Sequence, residues 1–329
     1  MSTIILTENE LRQSVQLDLG LIEAIEEAFS RLAQGGVVMP PIMRVDVEEY
    51  NGELDIKSAY VPGLDSFAVK MSSGFFDNHK LGLPSLSGLM ILFSARTGRP
   101  EAVLLDNGYL TDVRTGAAGA VAARHLAPRT ITTAGVIGAG TQARYQMIAL
   151  QQVRPFQRLL IYSQTESSVK KYIADMSDIV GVDIIAAASP EQVVRESEVV
   201  VTTTPSRRPL IQADWLHPGL HITAMGSDAE VKQELAAEAL LRADLLVCDR
   251  KSQAFRLGEL HHALKAGLLS EDGPVVELGE VTAGLVNGRT NDSQITICDL
   301  TGTGVQDTAV ALLAYQRATQ QGMGVEILR

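Results

Sequence analysis

The stretch Thr133 to Met147, TAGVIGAGTQARYQM, constrains this chain more than any other. Ala134 to Ile137 is an apolar run of strand length, Gly138-Ala139-Gly140 supplies a tight turn, and Thr141 onward has the composition of a helix. A buried strand turning through two glycines into a helix is the entrance of a dinucleotide site. Gly138 permits the turn, Gly140 permits close approach of a pyrophosphate, and Ala143 is small enough for the helix to pack on the strand. A lone GxGxxA is a weak signal, and its weight here comes from the strand and helix units that follow. Strands are expected at about 133–138, 158–163, 182–187, 197–203, 220–226, 244–248 and 294–299, with helices between most of them. That alternation predicts an α/β fold built on a doubly wound parallel sheet.

Ahead of this region the pattern changes. Thr7-Glu8-Asn9-Glu10 matches a capping box and starts a helix at about residue 8. A second helix is expected from about Leu17 to Gln34, with Ile22, Ile25, Phe29 and Leu32 on one face and Gly35-Gly36 as its terminator. Residues 38 to 107 hold VMPPIMRVDV, ELDIKSAY, FAVKMSSGF, GLMILFSARTG and EAVLLDN, short strands broken by Pro, Gly and Asn. Consecutive strands with few helices between them predict a mostly antiparallel sheet. An Ala-rich helix is expected from Tyr109 to Ala127, stopped by Pro128, with Arg114 in its first turn or two. The last helix, about Gly304 to Gln321, is expected to return to the first domain. The boundaries are therefore 1–130 with 304–329 for an α+β domain, and 131–303 for a Rossmann domain.

Composition narrows the function classes. A chain of 329 residues with 46% hydrophobic and 20% charged residues is ordinary for a globular protein. Its net charge of −11 is spread without a basic run, which argues against nucleic acid or an anionic membrane as partner. MSTIILTENE has neither a basic n-region nor a long apolar segment, so no signal peptide or membrane span is expected and the location is expected to be cytoplasmic. Cys248 and Cys298 sit in apolar, strand-like runs and are expected to be buried thiols. No metal site is expected, because there is no HExxH or Cys-x-x-Cys and the neighbours His261 and His262 point in different directions on a helix.

Several polar residues are placed to carry chemistry. An acid at the end of the second Rossmann strand would bind a ribose 2′-hydroxyl and repel a 2′-phosphate. Ser163, Gln164 and Thr165 stand there instead, so the cofactor is NAD or NADP, the balance tipping to NADP although no arginine is present to clamp the phosphate. Lys170 and Lys171 read as solvated helix residues. Arg114 combines a bidentate guanidinium with a helix N-terminus, which suits a substrate carboxylate, and a surface salt bridge is the alternative. Lys70 and Arg44, taken alone, read as surface charges. Asp228, in AMGSDAEVKQEL, lies at the carboxyl edge of the sheet, where doubly wound folds bind ligands, and reads as a helix cap or a ligand group. The hydroxyls of Thr203 and Thr204 either meet the nicotinamide ribose or terminate their strand.

Taken together, PPIMRVDV, FAVKM, GLPSLSGLMILFSARTG, LTDVRTGAAGAVAARHLA, GVIGAGTQAR, VVVTTTPSRRPLI, AMGSDAEVKQEL and CDLTGTGVQDTAVA resemble the ornithine cyclodeaminase/μ-crystallin family over essentially the whole chain. The chain is also similar to the cyclodeaminase-like subgroup encoded with ectoine and hydroxyectoine breakdown. The resemblance implies a homodimer whose first domain builds the subunit contact and the substrate site. It implies that Arg44, Lys70 and Arg114 bind the carboxylate of a small amino or imino acid, and that Asp228 holds the reacting or attacking amine and shares catalysis with Lys70. Along the matched segments the cofactor-binding set comprises Thr115, Gly138, Ala139, Gly140, Thr141, Gln142, Ala143, Ser163, Gln164, Thr165, Thr203, Thr204, Met225, Gly226 and Thr301.

The implied chemistry removes a hydride from C2 of an amino acid to NAD(P)+, giving an imine. In a cyclodeaminase a second amine then attacks C2, ammonia leaves and the hydride returns; relatives stop earlier as alanine dehydrogenases or run backwards as ketimine reductases. A third reading is a non-catalytic NADP-binding protein of the μ-crystallin type. One departure concerns specificity. Where many relatives have Met-Pro, this chain has Lys57-Ser58. Asp55 falls nearest the place of the glutamate that contacts the distal ammonium in ornithine-specific members, and Glu53 and Lys57 share its strand face. A Lys57 pointing into the site would repel a cationic side chain and favour an anionic or short one. The alternative is that it pairs with Asp55 or Glu53 at a sheet edge.

Overall fold

The computed structural model describes residues 2–328. Contacts divide the chain into two compact units, residues 1–114 with 303–329, and residues 115–302. The division falls inside a helix rather than at the expected residue 130. The Ala-rich helix runs unbroken from Tyr109 to Leu126, and past Arg114 it packs on the second unit, where Gln146 Nε2 donates to the Thr115 carbonyl at 2.8 Å.

The first unit opens with β1 (Ser2–Thr7), α1 (Glu8–Ser14), α2 (Leu19–Gln34), β2 (Met43–Val47), β3 (Gly52–Ala59), β4 (Ser66–Phe75), β5 (Leu86–Ser94), β6 (Pro100–Leu105) and α3 (Tyr109–Leu126). The second contains β7 (Thr133–Ile137), α4 (Thr141–Val153), β8 (Arg158–Tyr162), α5 (Glu166–Val180), β9 (Asp183–Ala186), α6 (Pro190–Glu196), β10 (Val199–Thr202), β11 (Arg207–Ile211), β12 (His221–Ala224), β13 (Gln233–Leu235), α7 (Ala237–Leu240), β14 (Leu245–Cys248), α8 (Lys251–Leu257), α9 (Glu259–Lys265), β15 (Val275–Glu277), α10 (Leu278–Thr282) and β16 (Thr296–Asp299). The chain then returns to the first unit with α11 (Gly304–Gln320) and β17 (Val325–Leu328).

In the first unit the sheet order is β17-β1-β6-β5-β4-β3-β2. Strands β2 to β6 form an antiparallel meander, and β1 joins β6 in parallel. Strand alternation sorts the two faces. Ala59, Ala68, Met90, Leu92, Ala102 and Leu104 are buried on the face that α11 covers, whereas Ile56, Val69, Met71 and Ile91 on the other face are only partly covered. Glu10 accepts the Thr7 amide at 2.9 Å, which completes the cap expected for α1. The terminal strands β1 and β17 were not expected, because short strands at chain ends carry little periodicity.

Helix α11 is stitched to the sheet by polar contacts. The Thr308 hydroxyl donates to the Ala59 carbonyl at 2.8 Å and accepts the Ala68 amide at 3.2 Å. Gly304, at the start of the helix, sits so close to β3 that a Cβ there would lie 2.6 Å from the Ser58 carbonyl oxygen.

The second unit carries the sheet β15-β14-β16-β12-β10-β7-β8-β9, parallel throughout. The chain winds outward from β7 through β8 to β9, then crosses back to β10 on the other side of β7, which makes β7 and β10 the switch point. Alternate residues feed two cores. Val136, Ile161 and Val201 pack with Met147 and Tyr172 of α4 and α5, while Ile137, Leu160, Val200 and Ile222 pack in a separate cluster with Val193 of α6 and Leu260 of α9. Each of the seven expected strands is present. The edge strand β15 and the small sheet of β11 and β13 were not expected, being too short to show a period. Cys248 and Cys298 are buried free thiols. Among the described residues no helix is long and apolar enough to cross a membrane.

Gly304→Ala tests the close seating of α11. It is expected to cost about 1–3 kcal/mol, the usual range for overpacking, read as a lowered thermal midpoint. An unchanged midpoint would show that the helix is free to shift away from β3.

Candidate active site

Within the first unit, two cations and one acid are buried together. Lys70 lies mid-strand in β4 and Arg114 in the second turn of α3, a helix started by the Asp106 carboxylate, which accepts the Leu110 amide at 2.9 Å. Both converge on Asp307 of α11. Lys70 Nζ is 3.1 Å from each carboxylate oxygen, and Arg114 Nε is 3.0 Å from Oδ1. Their side chains are 4%, 6% and 0% exposed, so the charges interact through protein rather than water.

Gln306 is the neighbouring part of the same device. Its Oε1 accepts both Arg114 Nη1 at 2.8 Å and the Thr303 amide at 3.0 Å, which fixes the orientation of the amide group. Its Nε2 is then a buried donor without an acceptor. Burial lowers the Lys70 pKa to about 7, with the cations Arg114 and Lys57 adding to the shift and Asp307 opposing it. Burial would raise the Asp307 carboxyl, but Lys70 and Arg114 outweigh this and hold it below its ordinary value. A buried ammonium, a guanidinium and an unpartnered amide N–H around a single carboxylate form a site with donors to spare.

Strand register settles which residues share this face. Lys57 is the direct cross-strand partner of Lys70, and Arg44 is that of Asp55. Arg44, Glu53, Asp55, Lys57 and Lys70 therefore all project on one side of the sheet. Strand β3 lies between β2 and β4, so Lys57 is not at a sheet edge. One oxygen of Asp55 is buried without a partner. Arg44 differs from the other cations. It sits on the edge strand, 43% exposed, and is held by Asp46 at 2.8 Å and Glu53 at 2.5 Å.

In the second unit the expected residues gather at the carboxyl edge of the sheet. Gly138 has φ +116°, open only to glycine at low cost, and any Cβ there would collide with the Thr203 hydroxyl. Gly140 is the N-cap of α4; it has open space where a Cβ would be and makes no side-chain cap, so no side chain competes with an anion at the start of the helix that carries Thr141, Gln142 and Ala143. Ala139 lies between these glycines, and buried Ala143 lets α4 approach β7. Ser163, Gln164 and Thr165 follow β8, and Met225, Gly226 and Asp228 follow β12. Asp228 is exposed, with Lys232 at 2.5 Å. Lys170 and Lys171 are solvated and paired along α5 with Glu166 and Asp175, as expected.

Two hydroxyl readings change. The hydroxyls of Thr202 and Thr204 donate to Glu234 at 2.6 and 2.7 Å, which ties this strand end to β13. The Thr301 hydroxyl is buried between Asp249 and the side-chain amide of Gln253, an internal role that its position in Leu300-Thr301-Gly302 did not suggest. Asp307, Gln306 and Glu234 were not singled out in the sequence. Gln306-Asp307 sit at the start of the last helix in CDLTGTGVQDTAVA, and two polar residues ahead of an otherwise apolar helix are the local signal that could have marked them.

The model of the ornithine cyclodeaminase/mu-crystallin family matches residues 1–322. This chain belongs to that family. It is 53% identical over 321 residues, 97% of both chains, to an uncharacterized cyclodeaminase of Sinorhizobium fredii. The structure of Thermococcus litoralis Δ1-pyrroline-2-carboxylate reductase with NADH and L-proline is 31% identical, with a TM-score of 0.93 over 99% of this chain and 100% of that one. An archaeal alanine dehydrogenase dimer with bound NAD is 37% identical, with a TM-score of 0.92 over 100% and 99%. The chain is an enzyme of this cyclodeaminase, imine-reductase and amino-acid dehydrogenase type.

Asp307→Asn tests the buried cluster of the first unit. Removing the one anion leaves Lys70 and Arg114 without their counter-charge, which is expected to cost about 3–5 kcal/mol in denaturant unfolding. A loss below about 1 kcal/mol would show that water or another group already compensates the cations.

Proposed function

We propose that this chain transfers hydride between a nicotinamide dinucleotide and C2 of a small 2-amino or 2-imino acid, with the substrate carboxylate received by Lys70, Arg114 and Gln306. The observation that carries this reading is the surplus of buried donors around Asp307, above all the orphaned Gln306 Nε2. A buried donor is costly until it meets an acceptor, and a carboxylate supplies up to four lone-pair sites. Arg44, exposed at the edge of the same face, is proposed as a rim cation that the substrate can recruit from Asp46 and Glu53. Fixing the carboxylate orients the C2–H bond, which is catalysis by positioning. Asp228 is proposed to take a proton from the substrate ammonium, freeing the nitrogen lone pair.

The turn Gly138 to Ala143 fits a dinucleotide pyrophosphate, since α4 begins without a side-chain cap and with open space at Gly140. When bound, the cofactor supplies the hydride acceptor or donor. Neutral Ser163 admits both NAD and NADP. The tilt toward NADP draws no help from Lys170, Lys171 or Arg144, because each is paired with a carboxylate of α5. The similar structures named above hold NADH and NAD, and NAD is proposed as the working cofactor. A homodimer is proposed through the partly covered outer face of the first unit's sheet, where Ile56, Val69, Met71 and Ile91 lie.

Lys57 beside Lys70 favours a short or anionic substrate side chain, hence a dehydrogenase or imine reductase. The cyclodeaminase reading is kept by one observation: the unpartnered buried oxygen of Asp55 is the acceptor that a distal ammonium would fill. A place in ectoine or hydroxyectoine breakdown rests on the sequence resemblance alone. Cofactor stoichiometry separates the chemistries. With alanine, aspartate, ornithine and lysine in turn, a dehydrogenase forms NADH mole for mole with ammonia, whereas a cyclodeaminase releases ammonia with no net NADH. The proposal expects the first pattern. Ammonia without NADH from a diamino acid would move the assignment to cyclodeaminase, and no turnover in either direction would favour the non-catalytic reading.

Lys70 gives a second test. Its pKa of about 7 means that it is protonated below that pH and increasingly neutral above it. A bound carboxylate favours the ammonium, so binding takes up a proton above pH 7 and affinity falls as pH rises. Calorimetry of a 2-oxo acid with the nucleotide-loaded protein at pH 8, in two buffers of different ionisation enthalpy, is expected to show proton uptake that Lys70→Met abolishes. Equal uptake in the variant would remove Lys70 from the carboxylate site.

A further inference from the structure

Four acids, Glu234, Asp249, Glu259 and Asp299, are buried in the unit of residues 115–302. Glu234 differs from the rest in what it holds. Its Oε1 accepts the Thr204 amide at 2.5 Å and the Thr204 hydroxyl at 2.7 Å; its Oε2 accepts the Thr202 hydroxyl at 2.6 Å and the Gly226 amide at 2.8 Å. The first three donors belong to the end of β10 and the fourth to the loop after β12. One carboxylate therefore ties together the two loop ends that lead to Thr203 and to Asp228. The approach is close, since a Cβ on Gly226 would lie 2.6 Å from the Glu234 carboxylate.

Two donors on each oxygen is the arrangement that an ionised carboxylate takes, and no lysine or arginine pairs with Glu234 among the described residues. Behind it, Glu259 accepts the Glu234 amide at 2.8 Å and the Leu235 amide at 3.2 Å, and Asp299 accepts the Leu260 amide at 3.1 Å. Asp299 keeps a buried oxygen with no partner, and burial pushes its pKa up to about 8; burial beside Asp299 and Glu234 likewise raises Glu259 well above its ordinary value. Burial also raises Glu234, opposed by its four donors.

A charge at this place matters for a nicotinamide enzyme, because the oxidised ring is cationic and the reduced ring is neutral. We infer that Glu234 is a positioning residue that clamps the β10 and β12 loop ends and whose fixed negative charge favours the oxidised cofactor over the reduced one. This rests on the reading of the Thr203–Thr204 and Met225–Gly226 segments as cofactor edges. It adds that a residue touching neither substrate nor cofactor sets the balance between the two cofactor forms.

Direct binding of NAD+ and NADH to the full-length protein, followed by fluorescence and calorimetry, tests it without turnover. In Glu234→Gln, which keeps the shape but not the charge, the Kd for NAD+ is expected to rise at least about tenfold more than that for NADH, a differential of about 1.4 kcal/mol. Glu234→Asp keeps the charge and is expected to shift both constants together. A ratio unchanged in Glu234→Gln, or moved equally in both variants, overturns the inference while leaving the cofactor reading in place. Wild-type protein that binds NADH more than about tenfold tighter than NAD+ overturns it with no variant needed. Wild-type protein that binds neither nucleotide overturns the inference and the cofactor reading together.

Discussion

The ion cluster at Asp307 is the interaction on which the first unit depends. Lys70 and Arg114 are brought to within hydrogen-bond reach of one carboxylate from three different elements, β4, α3 and α11. Each charge would be costly to bury alone, and together they are tolerable only because the geometry is close. The cluster also explains why the chain returns to this unit after residue 302. Asp307 can reach the cations only if α11 lies tight against β3 and β4, and Gly304 and Thr308 are the residues that allow and fasten that seat. What remains after this pairing is an excess of donors, and an excess of donors is the physical definition of a receptor for an anion.

The two units solve their polar problems in opposite ways. In residues 1–114 and 303–329 the buried charge is mixed, with the cations Lys70 and Arg114 around Asp307 and a second buried acid, Asp106, at the start of α3. In residues 115–302 the buried acids Glu234, Glu259 and Asp299 face backbone amides and hydroxyls. The first arrangement awaits a carboxylate; the second leaves negative charge at the edge where a cationic ring is proposed to lie. An enzyme that moves a hydride needs both an anchored acid and a tuned acceptor, and these two clusters are proposed to supply one each.

Much of this was legible in the chain, for reasons that differ by residue. The Gly138–Ala143 turn could be read because its requirements are local: a positive φ, a missing Cβ and a small residue one turn later are each visible as a residue type. Seven of the eight strands of the parallel sheet could be read, the central ones because buried strands are continuous apolar runs. Lys70 could not be read from its surroundings, since a lysine in an amphipathic strand is ordinarily a surface charge; only its partner buries it, and that partner lies in the last helix. Glu234 was hidden for a related reason. Its four donors come from two loops, and nothing in KQEL distinguishes a clamp from a solvated glutamate. The side on which Lys57 projects required the β3–β4 register, which pairs it with Lys70.

Lys70, Arg114 and Gln306 are proposed to form a preset carboxylate receptor balanced by Asp307. A crystal structure with the nicotinamide cofactor and a small 2-oxo or 2-amino acid tests it most directly. The claim predicts the ligand carboxylate within about 3 Å of Lys70 Nζ, the Arg114 guanidinium and Gln306 Nε2, with the Asp307 pairing intact. A carboxylate bound elsewhere, with Lys70 and Arg114 still closed on Asp307 alone, would contradict it.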